Sequence, residues 1–497
     1  MPHDISLITT IAAGLGLALI VGMIAARLNI PPLVGYLVAG IIIGPHTRGF
    51  VADVELASQL AEIGVMLLMF GVGLHFSLED LASVRKIALP GAIVQILVAT
   101  ALGMVTALYW GWTFGGGLVF GLALSVASTV VLLRALESRG VLDSLNGRIA
   151  VGWLIVEDLV MVLVLVLLPP LAGLLGGRTH VAPGGEGIVM TLAITFAKVG
   201  AFVILMLVIG RRFFPRILWA VAKTGSRELF TLCVIAAAVG VAYGAAALFG
   251  VSFALGAFFA GMMLRESELS HRAAEESLPL RDAFSVLFFV SVGMLFEPMI
   301  VVRRPVEVLV VAAIIMLGKT FAAIGLVLAF RYPLNTALTV GASLAQIGEF
   351  SFILAGLGVA YGLLPAEGQS LILAGALISI ALNPVVFAAI EPLRKWLLDR
   401  SDLARRLARS ADPLAELPMS TPERFITGHV VLVGFGRVGR RIASALDEHQ
   451  IPYVVAEQNR ELVERLRERG VPAVTGDAAE AAVLIQAHIA RARMLVI

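Results

Sequence analysis

Charge is what this sequence has least of. Only 14% of its 497 residues are Asp, Glu, Lys or Arg, against 59% hydrophobic, and the mean hydropathy is +0.96. A soluble globular chain carries about a quarter charged residues, so that class is excluded. Cysteine is nearly absent. Cys233 stands alone in an apolar run, cannot form an intramolecular disulfide, and reads as a small packing residue. The opening MPHDISLITT has no Lys or Arg, so the basic region of a secretory signal is missing, and the apolar run behind it is read as a retained helix. The net charge of +2 provides no field that would gather a polyanion, and no nucleic-acid partner is expected.

What is there instead is a series of apolar runs of roughly 20 residues, the length that crosses a bilayer as helix. Thirteen membrane segments are expected, near 5–26, 32–47, 57–74, 87–109, 115–136, 148–168, 189–209, 228–246, 251–267, 282–302, 306–330, 334–357 and 368–391. Placing the N-terminus outside puts most flanking basic residues, Arg85, Lys86, Arg134, Arg211 and Arg212 among them, in the cytoplasm. Arg48, Arg178, Arg303 and Arg304 remain outside, and the C-terminus is cytoplasmic.

The chain also repeats itself. GYLVAG at Gly35 resembles GAFFAG at Gly256, MFGVGLHF at Met69 resembles FVSVGMLF at Phe289, and ALSVASTVVLL at Ala123 resembles SLAQIGEFSFI at Ser343, at offsets of 221, 220 and 220. An odd number of crossings separates the halves, so they are expected as inverted repeats, a pattern of secondary transporters that bind substrate between the repeats.

Three regions follow: a transmembrane domain over 1–391, a charged linker over 392–427, and an α/β domain over 428–497. The last reads as strand, Gly-rich turn, helix, strand, helix, strand, with a further strand begun at the end. It is expected to be a partial Rossmann-like domain.

Polar residues inside the apolar runs carry the chemistry. Glu157 and Asp158 sit side by side in GWLIVEDLVMVLVLVLLPP. A carboxylate at the bilayer centre costs at least ~2.5–3.5 kcal/mol, so intramembrane acids mark ion or proton pathways. Apolar residues on both sides argue against a pair lying at the water interface. Lys319, in IIMLGKTFAAIG, lies roughly 15 Å by helical rise from either end of its run, and an ion pair with one of the acids is expected. Lys198 reads equally as a snorkelling side chain. Ser125, Ser128 and Thr129 in SVASTVV, and Ser343, Gln346, Glu349 and Ser351 in SLAQIGEFSF, occupy matching places in the repeats. They mark helix breaks that expose carbonyls to a cation, except that Ser125 and Ser351 read by themselves as helix-packing residues, and Glu349 is suited to a helix N-terminus inside its break. Asn383-Pro384 is expected as a kink or a polar lining.

In the α/β domain the turn GFGRVG spans Gly434, Gly436, Arg437, Val438 and Gly439. It follows the strand HVVLV and opens a helix, and Glu457 ends the next strand about 20 residues on, which is the context a dinucleotide fingerprint requires. Asp477 after the third strand is placed to approach a base or ribose. An adenine nucleotide, AMP, ATP or NAD(H), is the expected ligand.

At PPLVGYLVAGIIIGP, LLMFGVGLHFSLEDL, ASTVVLLRALE, GWLIVEDLVMVL, FALGAFFAGM, SLAQIGEFSFILAGLG and VLVGFGRVG the sequence resembles the Kef-type members of the second monovalent cation:proton antiporter family. The resemblance implies an inverted-repeat fold with crossed broken helices, a dimerisation domain and a mobile core, and a nucleotide-sensing N-terminal RCK domain. It implies a homodimer in a bacterial-type cytoplasmic membrane, exchanging K⁺ before Na⁺ for protons by elevator-type alternating access, and not an enzyme. Asp158 matches the ion and proton carboxylate and Lys319 the basic residue of the site. Glu157 stands where Kef proteins usually carry Gln and sodium antiporters Asp or Asn, a departure that bears on ion choice and stoichiometry. An ancillary regulatory subunit is left open. Two other classes remain at this point: a ligand-gated K⁺ channel, against which stands the lack of a filter-like repeat, and a membrane-anchored NAD-dependent oxidoreductase, which needs a substrate domain after the fingerprint.

Overall fold

The structure, a computed structural model, describes residues 6–47, 51–75, 78–137, 139–140, 144–178, 188–250, 252–265, 267, 269–400, 414, 417–418, 421–476, 478–479 and 481–497. Its helical region begins with α1 (Ser6–Arg27), α2 (Pro32–Ile43), α3 (Val54–His75) and α4 (Leu78–Tyr109). α5 (Phe114–Ser125) and α6 (Thr129–Glu137) form one span broken at residues 126–128, and α7 (Leu145–Leu171) follows. α8 (Ile188–Leu205) continues through a π turn into α9 (Arg211–Ala222), then come α10 (Arg227–Phe249), α11 (Phe253–Arg265) and α12 (Ser270–Met294). The short α13 (Ile300–Arg303) leads to α14 (Pro305–Ala313), and a π turn (Ile314–Gly318) joins it to α15 (Lys319–Ala329). α16 (Leu334–Leu344) and α17 (Glu349–Ala360) are bent by 42° across a break at 345–348. α18 (Ala366–Ala388) and α19 (Ile390–Arg400) close the region.

Each of the thirteen expected runs overlaps a helix. Among the described residues, nine spans are long and apolar enough to cross a membrane, ten with the bent pair α16–α17, while α2 and α11 are shorter apolar helices. Two starts differ clearly, and the first is α4, which begins at Leu78 and not near 87. α12 begins at Ser270, well before the expected start at 282, because SHRAAEESL is polar but rich in good helix formers. It ends at Met294 because Pro298 disfavours helix in the residue before it.

Small residues let the helices touch. Gly40 of α2 lies against Gly293 of α12, and Gly73 of α3 against Gly261 of α11. A methyl group on any of the four would strike a carbonyl of the opposite helix, that of Val290, Leu37, Phe258 or Phe70 respectively. Positions 40 and 261, and 73 and 293, are equivalent by the sequence offsets, so the two contacts exchange into one another when the halves are swapped.

The two breaks meet. A β-carbon on Gly348 would collide with the backbone of Ser128. Val126 turns extended after α5 (φ −99°, ψ 131°), and Gly348 is extended before α17 (φ −131°, ψ −161°). Val126 and Ser128 in the first break and Gly348 in the second are weak helix formers, but Ala127, Ala345 and Gln346 are not, so the interruptions rest on the crossing as well as on local propensity.

The C-terminal α/β domain has four parallel strands, β1 (Val430–Val433), β2 (Tyr453–Glu457), β3 (Ala473–Thr475) and β4 (Met494–Val496), in the order β3-β2-β1-β4. Its helices are α20 (Arg437–Glu448), α21 (Arg460–Glu468) and α22 (Ala481–Gln486). Alternate residues of each strand enter different cores, Val430 and Leu432 on one face and Val431 and Val454 on the other, as a sheet covered on both sides requires. The domain touches the membrane region through Lys86 and Glu464, at 3.3 Å, and through Arg148 and Gln458, at 2.6 Å.

Candidate functional site

α7 carries the two acids, and consecutive residues on a helix point ~100° apart. They serve different partners. Glu157 Oε2 accepts from the Ala127 N–H at 2.8 Å, inside the first break, and Asp158 Oδ2 accepts from the Thr129 hydroxyl at 3.0 Å, at the start of α6. Both side chains are buried, at 0% and 4% exposure. Glu157 Oε1 and Asp158 Oδ1 are buried with no hydrogen-bond partner. The break gives each acid a donor from the positive end of α6, and each keeps one oxygen in hand.

The second break closes over the first. The Ser128 N–H donates to Gln346 Oε1 at 2.9 Å, and Gln346 Nε2 donates back to the Ser128 carbonyl at 3.1 Å. The Ser128 hydroxyl donates to Glu349 Oε2 at 3.1 Å. Glu349 is the first residue of α17, where its charge complements the helix N-terminus. Lys319 is fully buried and donates to the Gln346 carbonyl at 2.9 Å. Thus Glu157, Asp158, Ser128, Thr129, Lys319, Gln346 and Glu349, separated by up to 221 positions in the chain, converge on one crossing.

The expected ion pair of Lys319 with an acid takes another form. Its hydrogen bond goes to a carbonyl, and Glu157 acts on it as a neighbouring charge without an ion pair within 4.0 Å among the described residues. The carbonyls beyond α16 have lost their intrahelical donors and carry the negative end of the helix, so they compete well for the ammonium. Lys198, by contrast, is exposed on α8.

Two amides extend the crossing. Asn383 Nδ2 donates to the Ala342 carbonyl at 3.0 Å, so this residue lines the site while α18 continues through Pro384. Gln95 of α4 donates to the Ser125 carbonyl at 2.9 Å and is fully buried. Sequence reasoning alone misses Gln95. Its signal is one amide in the apolar run IALPGAIVQILVATALG. Among the described residues no group of three or more His, Cys, Asp or Glu could hold a metal ion. The chemistry on offer is that of a carboxyl oxygen, with neighbouring hydroxyl and carbonyl oxygens, that can accept a proton or a monovalent cation.

In the α/β domain the turn between β1 and α20 is open. Gly434 has φ +81°, and a β-carbon on Gly434 or Gly436 would meet no atom within 4 Å, while Gly439 packs on the Gly434 carbonyl. Arg437 and Val438 form the first turn of α20 facing solvent. Glu457 ends β2 and closes on this turn, with Oε2 accepting from Phe435 N–H at 2.6 Å and Oε1 from Asn459 N–H at 2.9 Å. Free space over the glycines, a helix N-terminus and an acid at the end of β2 fit a phosphate and a ribose. Asp477 lies outside the described residues. At the other end of β2, burial and then the charge of Asp447 push the Tyr453 hydroxyl up to about 12, and it donates to Asp447 at 3.2 Å.

The segment next to Glu457 also reaches the membrane. Gln458 accepts from Arg148, in the first turn of α7, the helix that carries Glu157 and Asp158.

Comparison with known proteins follows the same division. Residues 15–390 match the family described as sodium/hydrogen exchanger, transmembrane, and residues 430–497 match the TrkA-N domain, a nucleotide-binding domain. The chain is 56% identical over its whole length to YbaL of Escherichia coli (strain K12), covering 87% of that protein, whose name marks it as a candidate cation/proton antiporter. It is 34% identical to K(+) efflux antiporter 4 of Arabidopsis thaliana over 71% of this chain and 58% of that one. Among solved structures it shares the fold of the sodium proton antiporter MjNhaP1 from Methanocaldococcus jannaschii, with a TM-score of 0.60 at 18% identity, over 77% of this chain and 97% of that one.

Proposed function

The chain belongs to the sodium/hydrogen exchanger family and is a multi-pass cation/proton antiporter, not an enzyme, and on that premise we propose that Asp158 is the group that carries a cation in one half of the cycle and a proton in the other. The observation that carries this reading is the Asp158 carboxyl at the meeting point of two broken helices: like Glu157 it keeps a buried, unpartnered oxygen, but its other oxygen rests on a side-chain hydroxyl and not on the backbone of the break. A carboxyl group that holds one ligand at a time couples the two fluxes by competition. Thr129 orients its other oxygen, and Ser128, Gln346 and Glu349 tie the breaks into one rigid unit. Glu157 holds the first break through Ala127, so it tunes the site, and Lys319 holds the second.

The cargo is K⁺ before Na⁺, the reading favoured by relatives named as K(+) efflux antiporters. The architecture we propose is thirteen crossings in two inverted repeats, N-terminus outside, in the cytoplasmic membrane. The exchangeable contacts Gly40–Gly293 and Gly261–Gly73 support it. In a homodimer, the crossing and the helices bound to it would move as the carrier domain of an elevator-type cycle. An adenine nucleotide at Gly434, Gly436, Gly439 and Glu457 would bias that motion through Gln458 and Arg148, which requires only that it prefer one conformation.

Flux into proteoliposomes tests the core of this. Imposed K⁺, Na⁺ and Li⁺ gradients, read by internal pH and membrane potential, should each report cation-driven proton movement in proportion to preference. Cation flux with no proton movement would overturn it.

A further inference from the structure

We propose that Gln95 is a positioning residue for the exchange reaction: it fixes the Ser125 carbonyl in the first helix break as Lys319 fixes the Gln346 carbonyl in the second, and it does so without adding a charge. The inference rests on the reading of the crossing as the ion site.

Gln95 lies within α4, in an apolar run where an amide is unfavourable unless its polar atoms are bonded. One half is bonded. Nε2 donates to the Ser125 carbonyl at 2.9 Å, while Oε1 is buried without a hydrogen-bond partner. Ser125 is the last residue of α5, so its carbonyl is among those that lose their intrahelical donor at the break. A carbonyl oxygen has two acceptor positions. With one taken by Gln95, the oxygen is held in direction and its second position stays available. Two residues on, inside the break, Ala127 is the one that holds Glu157.

The second break is served in the same way from the equivalent helix. α15 packs along α16 as α4 packs along α5, and Lys319 Nζ donates to the Gln346 carbonyl at 2.9 Å. Each break therefore has one carbonyl pinned by one side chain from the neighbouring helix. The difference is the charge. An ammonium beside a carbonyl repels an incoming cation strongly at low dielectric, whereas an amide donor does not. The neutral donor stands at the break that faces Glu157 and Asp158. That asymmetry selects which break receives the cation and which carries a positive group of its own.

The test uses the intact chain in proteoliposomes, with K⁺ and Na⁺ as probes. Gln95→Leu should raise the apparent KM for the cation by about fivefold or more, with maximal rate within about twofold, the pattern of lost ground-state positioning. Gln95→Glu can donate to Ser125 only when protonated, so the ratio of its KM to that of the parent should fall toward one as pH is lowered. Gln95→Lys should abolish exchange at every cation concentration while the protein remains monodisperse in detergent. A parent-like KM in Gln95→Leu would overturn the inference. So would a lower maximal rate at unchanged KM combined with a pH-independent KM ratio in Gln95→Glu, which would make Gln95 a packing residue. If Gln95→Leu does not fold, the pH dependence of the Gln95→Glu ratio decides alone. The site reading is checked separately on Asp158→Asn. Exchange there at the parent rate removes the crossing as the ion site, and this inference with it. Loss of exchange there with a parent-like KM in Gln95→Leu removes the positioning role alone.

Discussion

The crossing in the membrane and the Gly-rich turn in the α/β domain are built in opposite ways. At the crossing Glu157, Asp158, Lys319 and Glu349 are exposed by no more than 4%, and two carboxyl oxygens find no donor. At the turn Gly436, Arg437 and Val438 face solvent, and both oxygens of Glu457 are met by backbone N–H groups. A buried acid short of partners responds to something as small as a proton or a bare cation. A half-buried and satisfied acid responds only to a ligand large enough to bring donors of its own. Substitutions at the crossing should therefore change the reaction, and substitutions at the turn should change its control.

The largest expected effect is at Asp158. Asp158→Asn keeps the shape and can still accept from Thr129, but it neither titrates nor balances a cation. Cation-driven proton movement should vanish with the melting temperature in detergent nearly unchanged, and measurable coupled exchange in this variant would end the assignment. Lys319→Ala comes next and acts on stability as well. It leaves the Gln346 carbonyl buried without its donor, a loss of about 1–3 kcal/mol, and removes the positive charge beside Glu157. The variant should melt at a lower temperature, and an unchanged melting curve would mean that the ammonium does not hold the second break.

Much of this contrast is legible in the amino-acid sequence. Intramembrane polar residues stand out because each is expensive, so Glu157, Asp158, Lys319 and Glu349 announce themselves one by one. The breaks are visible because Ser, Thr and Gly fall at matching places in two repeats. The pairing is not legible. Glu157 going to Ala127, Lys319 to a carbonyl, and Gln346 bridging to Ser128 depend on how two distant segments cross, and no local pattern encodes that. Gln95 escapes notice because a neutral amide is a weaker signal than a charge. In the α/β domain the reverse holds. The fingerprint announces turn, helix and acid together, since their spacing is fixed by the strand–turn–helix unit itself. The contact of Gln458 with α7 lies beyond it, because it depends on how two domains meet.

Glu157→Gln should have a smaller effect than either membrane variant above. The amide can still accept from the Ala127 N–H through its carbonyl oxygen, so the first break should survive. We expect exchange to persist with a changed ratio of K⁺ to Na⁺ rates or a changed charge per cycle, read from membrane potential in proteoliposomes. Complete loss of exchange in a folded protein would exchange the roles assigned to the two acids.

The smallest effects belong to the turn, and they decide whether control and reaction are separate. Gly436→Val fills the open space over the turn at a backbone conformation that valine tolerates (φ −74°), so the domain should fold while AMP, ATP or NAD(H) no longer binds. Calorimetry on the purified chain with each nucleotide at up to millimolar concentration measures this, and binding equal to that of the parent would leave the fingerprint as a mark of fold alone. Gln458→Ala is the finer probe. Its hydrogen bond goes to Arg148 at the start of α7, roughly 15 Å by helical rise from Asp158. Removing it should leave nucleotide affinity within about twofold, because Glu457 keeps both of its backbone donors, yet it should weaken the change in flux that the nucleotide produces. A nucleotide response as large as the parent's would mean that the two regions communicate by a route other than Gln458 and Arg148. An altered exchange rate without any nucleotide would show that the contact restrains α7 at all times, and the line between reaction and control would then run through Arg148, not between the two domains.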